Sequence, residues 1–176
     1  MTAMLRIASL AVLTIVFACL IQAQNTSGYT SLRSKDCHKL RLKDGDILLR
    51  EQCKGFAGFK LDHLANEDID WIELITPGGK RFKLGTQFNM PGYLASSVEW
   101  RLKNSQPVAL IARYTLVKPD NMKKISTILI SKVSATSACV TDVIDLSGKR
   151  GIPMRSLADS AALRPCWPTY RDQEQK

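Results

Sequence analysis

Apolar and polar residues alternate along several short stretches of this chain, which is the pattern of β-strands with one buried face. Residues 98–102 place three apolar side chains alternately with two charged ones, so one face of this segment is expected to point inward. Residues 71–75 and 81–84 flank the sequence Thr-Pro-Gly-Gly-Lys, in which proline and glycine favour a tight turn. These two segments therefore predict a β-hairpin.

Two longer segments, 108–117 and 125–133, carry apolar residues on both faces of a strand. Strands of this kind are covered on both faces, because a strand with one face in water alternates instead. Arg113 is a charged exception inside the first segment, and the sequence Pro-Asp-Asn at 119–121 favours a turn between the two. We expect them to be central, neighbouring strands.

One segment near the C-terminus has helical periodicity. Pro153 suits the first turn of a helix, and Met154, Leu157, Ala158 and Ala161 then recur at helical spacing. The predicted fold class is α+β, with a mainly antiparallel sheet of about six to eight strands packed against one C-terminal helix.

The N-terminal segment has the layout of a secretory signal peptide, with Arg6 before an apolar stretch at residues 7–21. That stretch is about 15 residues long, whereas a membrane-spanning helix needs about 20. Ala23 offers a small residue for cleavage. In the alternative interpretation, Val16-Phe17-Ala18-Cys19 is a lipobox, and lipidation of Cys19 would anchor the protein to a membrane.

Four cysteines follow the predicted cleavage point, namely Cys37, Cys53, Cys139 and Cys166. Four cysteines allow three pairings, and spacing alone cannot choose among them. Proximity in the sequence favours one disulfide between the first two and another between the last two. A metal site is the alternative, but zinc ligands usually occur in close pairs and these cysteines do not. Disulfides together with a leader peptide indicate an oxidising compartment, periplasmic or extracellular.

The predicted organisation has four parts: a signal peptide at 1–23, a flexible N-terminal segment at 24–36, one disulfide-linked domain at 37–168 and a polar tail at 169–176. The chain has a net charge of +9, which favours anionic neighbours. For an exported protein we expect these to be an anionic envelope polymer, a lipid surface or an acidic protein rather than nucleic acid.

Charged residues inside the predicted core strands mark a candidate polar site, made of Glu99, Arg101, Arg113 and Asp142. A buried guanidinium normally needs a carboxylate, so Arg113 is expected to form a cross-strand ion pair that fixes the register. The functional alternative is a pocket for a small anion. His63, beside an acid at the end of a probable strand, is expected to be a surface histidine.

Catalytic motifs are absent from the sequence, which contains no nucleophile elbow, phosphate-binding loop, dinucleotide fingerprint or zinc-protease motif and implies no cofactor or metal. Two carboxylates for glycoside hydrolysis could come from Glu99, Asp142 and Asp145, provided that they face one cleft. The leading hypothesis is a non-enzymatic binding protein. The alternatives are a hydrolase acting on an envelope polymer and an inhibitor of an exogenous enzyme.

The order of several short motifs around the cysteines resembles a family of small exported bacterial proteins, mostly from Gram-negative species. The motifs are Tyr29-Thr30-Ser31-Leu32 before Cys37, Cys53-Lys54-Gly55, Glu99-Trp100-Arg101, the strand at 107–114, Ala138-Cys139-Val140 with Asp142 and Asp145, and Leu157-Ala158-Asp159 before Cys166. The resemblance implies export and two disulfides, and it carries no activity. Where that family tends to have an asparagine-rich stretch, this chain has Ser-Gly-Lys-Arg-Gly at 147–151.

Overall fold

The computed structural model describes residues 25–42, 49–85, 88, 90–148 and 151–168, and this part of the chain contains ten strands and one α-helix. The strands are β1 (Thr26–Ser31), β2 (Cys37–Lys39), β3 (Leu49–Lys54), β4 (Lys60–Ala65), β5 (Asp70–Ile75), β6 (Arg81–Leu84), β7 (Gly92–Lys103), β8 (Gln106–Val117), β9 (Lys124–Val133) and β10 (Ala138–Asp145). The helix is α1 (Met154–Asp159), and single 3₁₀ turns occupy Ser34–Asp36 and Ala161–Leu163.

The strands form two antiparallel sheets of five strands each. The first sheet has the order β1-β7-β8-β9-β10, and the second has the order β2-β3-β4-β5-β6. The antiparallel architecture with one short C-terminal helix confirms the predicted fold class. The strands are more numerous than expected and divide between two sheets, because the hairpins of residues 37–84 pair among themselves rather than with the later strands.

The inner faces of the two sheets pack on each other and form the main hydrophobic core. Alternation along β7 turns Val98 and Trp100 inward, where they meet Leu61 and Leu74 of the second sheet. Trp100 is completely buried, and its indole N–H donates to the Thr30 hydroxyl at 2.9 Å. The sequence pattern therefore assigns the buried face of this strand correctly.

A second, smaller core lies on the opposite face of the first sheet, under α1. Ala158 and Ala161 pack onto Ala109, Ile111 and their neighbours from β9. Small alanine side chains let the helical segment approach the sheet closely. The central strands β8 and β9 are therefore covered by the second sheet on one face and by α1 on the other, which explains why they are apolar on both.

Two disulfides hold the domain at its ends, and they are the pairs that proximity favoured. Cys37 joins Cys53 across β2 and β3, and Cys139 joins Cys166 between β10 and the segment after α1. On a chain-entropy model, loops of this size each stabilise the fold by about 3 to 4 kcal/mol. In the part of the chain that the structure describes, no group of three or more potential ligands could hold a metal ion.

The sequence predicts a flexible segment over residues 24–36, whereas Thr26–Ser31 forms β1 and Leu32 enters the core. β1 is held because it pairs with β7 along its whole length. The predicted signal peptide, Cys19 and the tail at 169–176 lie outside the described residues, so these remain predictions. Within the described residues, no helix has the length and apolar character required to cross a membrane.

Candidate functional site

The four residues of the predicted polar site all lie in the first sheet, but they do not form one site. Glu99 and Asp142 occupy the same row of the sheet, connected through Ile111 and Ile130 on the two strands between them. Neighbouring strands are about 4.8 Å apart, so three spacings separate these two residues by about 14 Å. Ala158 of α1 and Ala161 of the following turn pack against these isoleucines, so α1 and that turn, together the α1 segment, lie between the two carboxylates.

A cleft of about 490 Å³ opens on the side of α1 where Glu99 lies. Its floor is formed by Ile111 and Ile128 of β8 and β9, and one wall is formed by residues 152–156 at the start of α1. The opposite wall and the rim are polar and aromatic, and they consist of Tyr29, Ser97, Glu99 and Arg113. The volume is within the range of small-ligand sites.

Arg113 lines this cleft and is exposed, which corrects the expectation of a buried residue in a cross-strand ion pair. The physical reason is position: Ala109 and Ile111 of β8 pack under the α1 segment, whereas Arg113 lies two residues further along the strand and lines the cleft beside α1. The guanidinium donates to the Ser126 hydroxyl at 3.3 Å, and no carboxylate of the described residues forms an ion pair with it.

Arg155 of α1 closes one end of the cleft. Its Nε donates to Glu99 Oε1 at 2.7 Å, and its Nη2 donates to the Tyr29 hydroxyl at 3.0 Å. Glu99 also accepts from the Ser27 hydroxyl at 2.5 Å. The hydrogen bond with Glu99 raises the pKa of Arg155 above its ordinary value. The contacts join β1, β7 and α1 at one point.

Arg101, not Arg113, is the buried guanidinium of the predicted set, with 6% of its surface exposed. It donates to both carboxylate oxygens of Asp159, at 2.7 Å from Nε and 3.0 Å from Nη2, and to the carbonyl of Asn25 at 2.9 Å. The hydrogen bond from Arg101 lowers the pKa of Asp159. This ion pair attaches α1 to the first sheet beside the cleft.

Asp142 lies on the far side of α1, where it accepts from Arg164 and from the Thr141 hydroxyl. The carbonyl of Arg164 in turn accepts from Lys132 Nζ at 2.8 Å. Asp142 therefore takes part in fixing the segment after α1 and does not reach the cleft.

A group of polar residues between the two sheets was missed by the sequence reasoning. Glu51, His63 and Tyr114 have buried polar atoms without a hydrogen-bond partner in the described residues, and His63 Nε2 lies 3.5 Å from Asp70 Oδ2. Burial, together with the nearby Asp70 carboxylate, raises the pKa of Tyr114. The expectation of a surface histidine is wrong, since the His63 side chain is only 13% exposed.

The alternation of inward and outward side chains along β3 and β4 would have located the buried polar residues of these strands. Leu49, Glu51 and Cys53 share one face of β3, and Leu61 and His63 share one face of β4, so the apolar members of each set place the polar members inward. The polar group does not border the cleft, since it lies on the opposite side of the first sheet.

Comparison of the chain with protein-family models, with curated proteins and with solved structures finds no match. The structure therefore defines the class of the protein by its architecture, a two-sheet antiparallel β domain with a C-terminal helix and a cation-lined cleft. The resemblance to exported bacterial proteins stays a hypothesis, and no functional residue is carried over from it.

Proposed function

We propose that this protein is a binding module that holds an anionic ligand in the cleft beside α1. The observation that carries the proposal is Arg113, a cation on a central strand that faces a ligand-sized cleft and pairs with no carboxylate of the described chain. An arginine in this position can offer a bidentate contact to a carboxylate or a phosphate group. A ligand of that kind would supply the partner that the protein does not.

The charges around the cleft favour an anion. Arg113 and Arg155 line it together with a single carboxylate, Glu99, and Glu99 is already bonded to Arg155 and Ser27. The net charge of +9 would attract anionic ligands over longer distances as well.

The other lining residues indicate what is attached to the anionic group. Ile152, Pro153 and Met154 form an apolar wall opposite the exposed ring of Tyr29. An apolar or ring-shaped body carrying a carboxylate or phosphate fits such a surface, because its apolar part leaves water while its charge stays at the rim. A lipid head group and a unit of an anionic polymer share this chemistry.

A location outside the cytoplasm is part of the proposal. Two disulfides support it, since such bonds persist in oxidising compartments, and the signal-like segment at 1–23 and the family resemblance agree with it. N-terminal sequencing of the natively expressed protein tests this point. A chain that begins at Gln24 supports export, whereas a chain that retains residues 1–23 contradicts it.

The hydrolase hypothesis receives no support from the carboxylates that suggested it: Asp145 lies three residues beyond Asp142 on β10, and therefore on the opposite face of that strand. Glycosidases hold their two catalytic carboxyl groups within about 10 Å across an open cleft, whereas Glu99 and Asp142 are about 14 Å apart with α1 between them. Inhibition of an exogenous enzyme has no specific observation in its favour.

The binding test uses three probes: phosphatidylglycerol vesicles, phosphatidylcholine vesicles and an anionic cell-wall preparation. We expect retention on at least one anionic probe, weaker at high salt because charges are screened, and no retention on phosphatidylcholine. Arg113→Gln should weaken binding about tenfold, because a charge-assisted hydrogen bond contributes about 1.5 kcal/mol or more.

The matched control is Lys80→Ala, which removes one positive charge from the turn between β5 and β6 in the other sheet. It should retain nearly full binding. Both variants should unfold at the same temperature as the parent protein, since exposed substitutions change stability little. Equal binding by Arg113→Gln and the parent protein would refute the assignment to this cleft.

A further inference from the structure

The edges of a β-sheet carry unpaired backbone groups, and most edges of this protein are protected against pairing with another chain. β2 has only three residues and β6 only four, and β6 carries Arg81 and Lys83. The edge strand β10 is interrupted by an irregularity between Val140 and Asp142, and the N–H of Trp167 donates to the carbonyl of Val140 at 2.7 Å. Short length, charge and bulges are the usual means of protection.

The edge strand β1 has none of these protections. Its six residues, Thr-Ser-Gly-Tyr-Thr-Ser, include no charged residue and no proline, and its register with β7 is regular from Thr26 to Ser31. Among the four edge strands of the described sheets, β1 is the one that has more than four residues, no charged side chain and a regular register.

The register identifies which backbone groups of β1 point away from the sheet. The N–H of Leu32 donates to the carbonyl of Ser96 at 2.8 Å, so residues at even positions direct their backbone groups toward β7. The N–H and C=O groups of Ser27, Tyr29 and Ser31 therefore point outward. Near Ser31 the edge is occupied by the following turn, since Ser31 Oγ donates to Asp36. Ser27 and Tyr29 have no backbone partner on this side among the described residues.

We propose that the β1 edge receives an extended, acidic segment of a partner protein, which pairs with Ser27 and Tyr29 as a sixth strand of the first sheet. Added strands bind through main-chain hydrogen bonds and gain selectivity from alternate side chains. On the face of the first sheet that carries α1, the side chains of the added strand would lie next to Tyr29, which is 57% exposed, and Arg155, whose side chain is 61% exposed. Acidic side chains complement that position.

A second copy of this chain is the less suitable occupant. Each copy carries a net charge of +9, and β1 contains no carboxylate that could offset the repulsion between two cationic surfaces. The proposal does not depend on anion binding in the cleft, because it concerns backbone groups on the edge and not the guanidinium of Arg113.

The test uses a displayed library of ten-residue peptides with acidic residues at alternate positions. Tyr29→Pro deletes an outward N–H without removing a hydrogen bond to β7, whereas Tyr29→Ala removes the side chain and keeps that N–H. We expect selected peptides to slow hydrogen exchange at the amides of Ser27 and Tyr29. Binding should fall at least tenfold in Tyr29→Pro and less than threefold in Tyr29→Ala, while both variants keep a cooperative thermal transition.

Several results would overturn the proposal. They are a library that yields no binder, binders that do not protect the β1 amides, and equal binding by Tyr29→Pro and the parent protein. Dimerisation of the parent protein in sedimentation experiments, lost in Tyr29→Pro, would assign the edge to a second copy instead. If Tyr29→Pro unfolds, a peptide with an N-methylated central backbone replaces it, and unchanged affinity for that peptide contradicts strand pairing.

Discussion

Replacing Cys139 and Cys166 by serine would remove the covalent bond that holds the C-terminal segment on the first sheet. These cysteines are 27 residues apart, and the loop between them contains the cleft wall at 152–156. The chain-entropy relation gives about 3.6 kcal/mol for a loop of this length. The matched variant, with serine at Cys37 and Cys53, opens a loop with a separation of 16 residues, for which the same relation gives about 3.1 kcal/mol.

The two double variants should therefore lose similar stability and differ in binding. Urea unfolding followed by tryptophan fluorescence measures the first quantity, since Trp100 is buried in the core. Retention on the anionic probe of the parent protein measures the second. We expect weaker retention only when the bond at Cys139 is absent. The reasoning fails if that variant keeps both properties, or if loss of the bond at Cys37 weakens retention equally.

Two further predictions concern ion pairs. Asp62 is completely buried and accepts hydrogen bonds from Arg50 at 3.3 Å and Arg81 at 2.7 Å. Asp62→Ala should lower the free energy of unfolding in urea by about 2 kcal/mol, which is less than for a fully buried ion pair because both arginines can reach water. A loss below about 0.5 kcal/mol would contradict this prediction. Since Arg101 lowers the pKa of Asp159, the ionised carboxylate stabilises the fold above the ordinary aspartate pKa, and this contribution disappears as the pH falls through the lowered value. The difference in unfolding free energy between the parent protein and Asp159→Asn should thus be constant near neutral pH and shrink below about pH 4. A difference that grows on acidification would refute this prediction.

The sequence predicts local structure correctly where a whole strand is covered in the same way along its length or where a turn has distinctive residues. The strands β8 and β9 are apolar on both faces because the second sheet and α1 cover them, and this composition identifies them as central. The hairpin β5–β6 follows from its proline and glycine turn. The Cys37–Cys53 disulfide follows from proximity, since β2 and β3 are adjacent both in sequence and in the second sheet.

The predicted site is only partly correct, because a sequence does not show how far one element covers another. Arg113 lies in a strand whose composition indicates burial, but its side chain is exposed and lines the cleft beside α1. Arg101 is two residues from Glu99 on the same face of β7, yet it is buried because the Asp159 carboxylate of the helix meets it there. The difference between a core ion pair and a cleft residue therefore depends on which residues of the sheet α1 contacts.

The cleft is built from both ends of the domain, which explains why no local motif reveals it. Tyr29 and Arg155, joined by a hydrogen bond across the cleft, are 126 residues apart in sequence, and Ser27 and Glu99 are 72 apart. Contacts over such separations form only when the whole domain folds, since the entropy of closing these loops must be offset by the core. An anionic ligand that binds only the folded state should accordingly stabilise the entire domain rather than α1 alone.

Tyr29 connects the two proposed binding surfaces, but through different atoms. Its hydroxyl contacts Arg155 at the cleft, whereas its backbone N–H points away from β7 at the sheet edge. A substitution that keeps the backbone, such as Tyr29→Ala, disturbs mainly the cleft rim, and Tyr29→Pro disturbs both surfaces. If anion retention and peptide binding respond differently to this pair of variants, the two surfaces are separate; an identical response to both would indicate that a single ligand covers the cleft and the edge together.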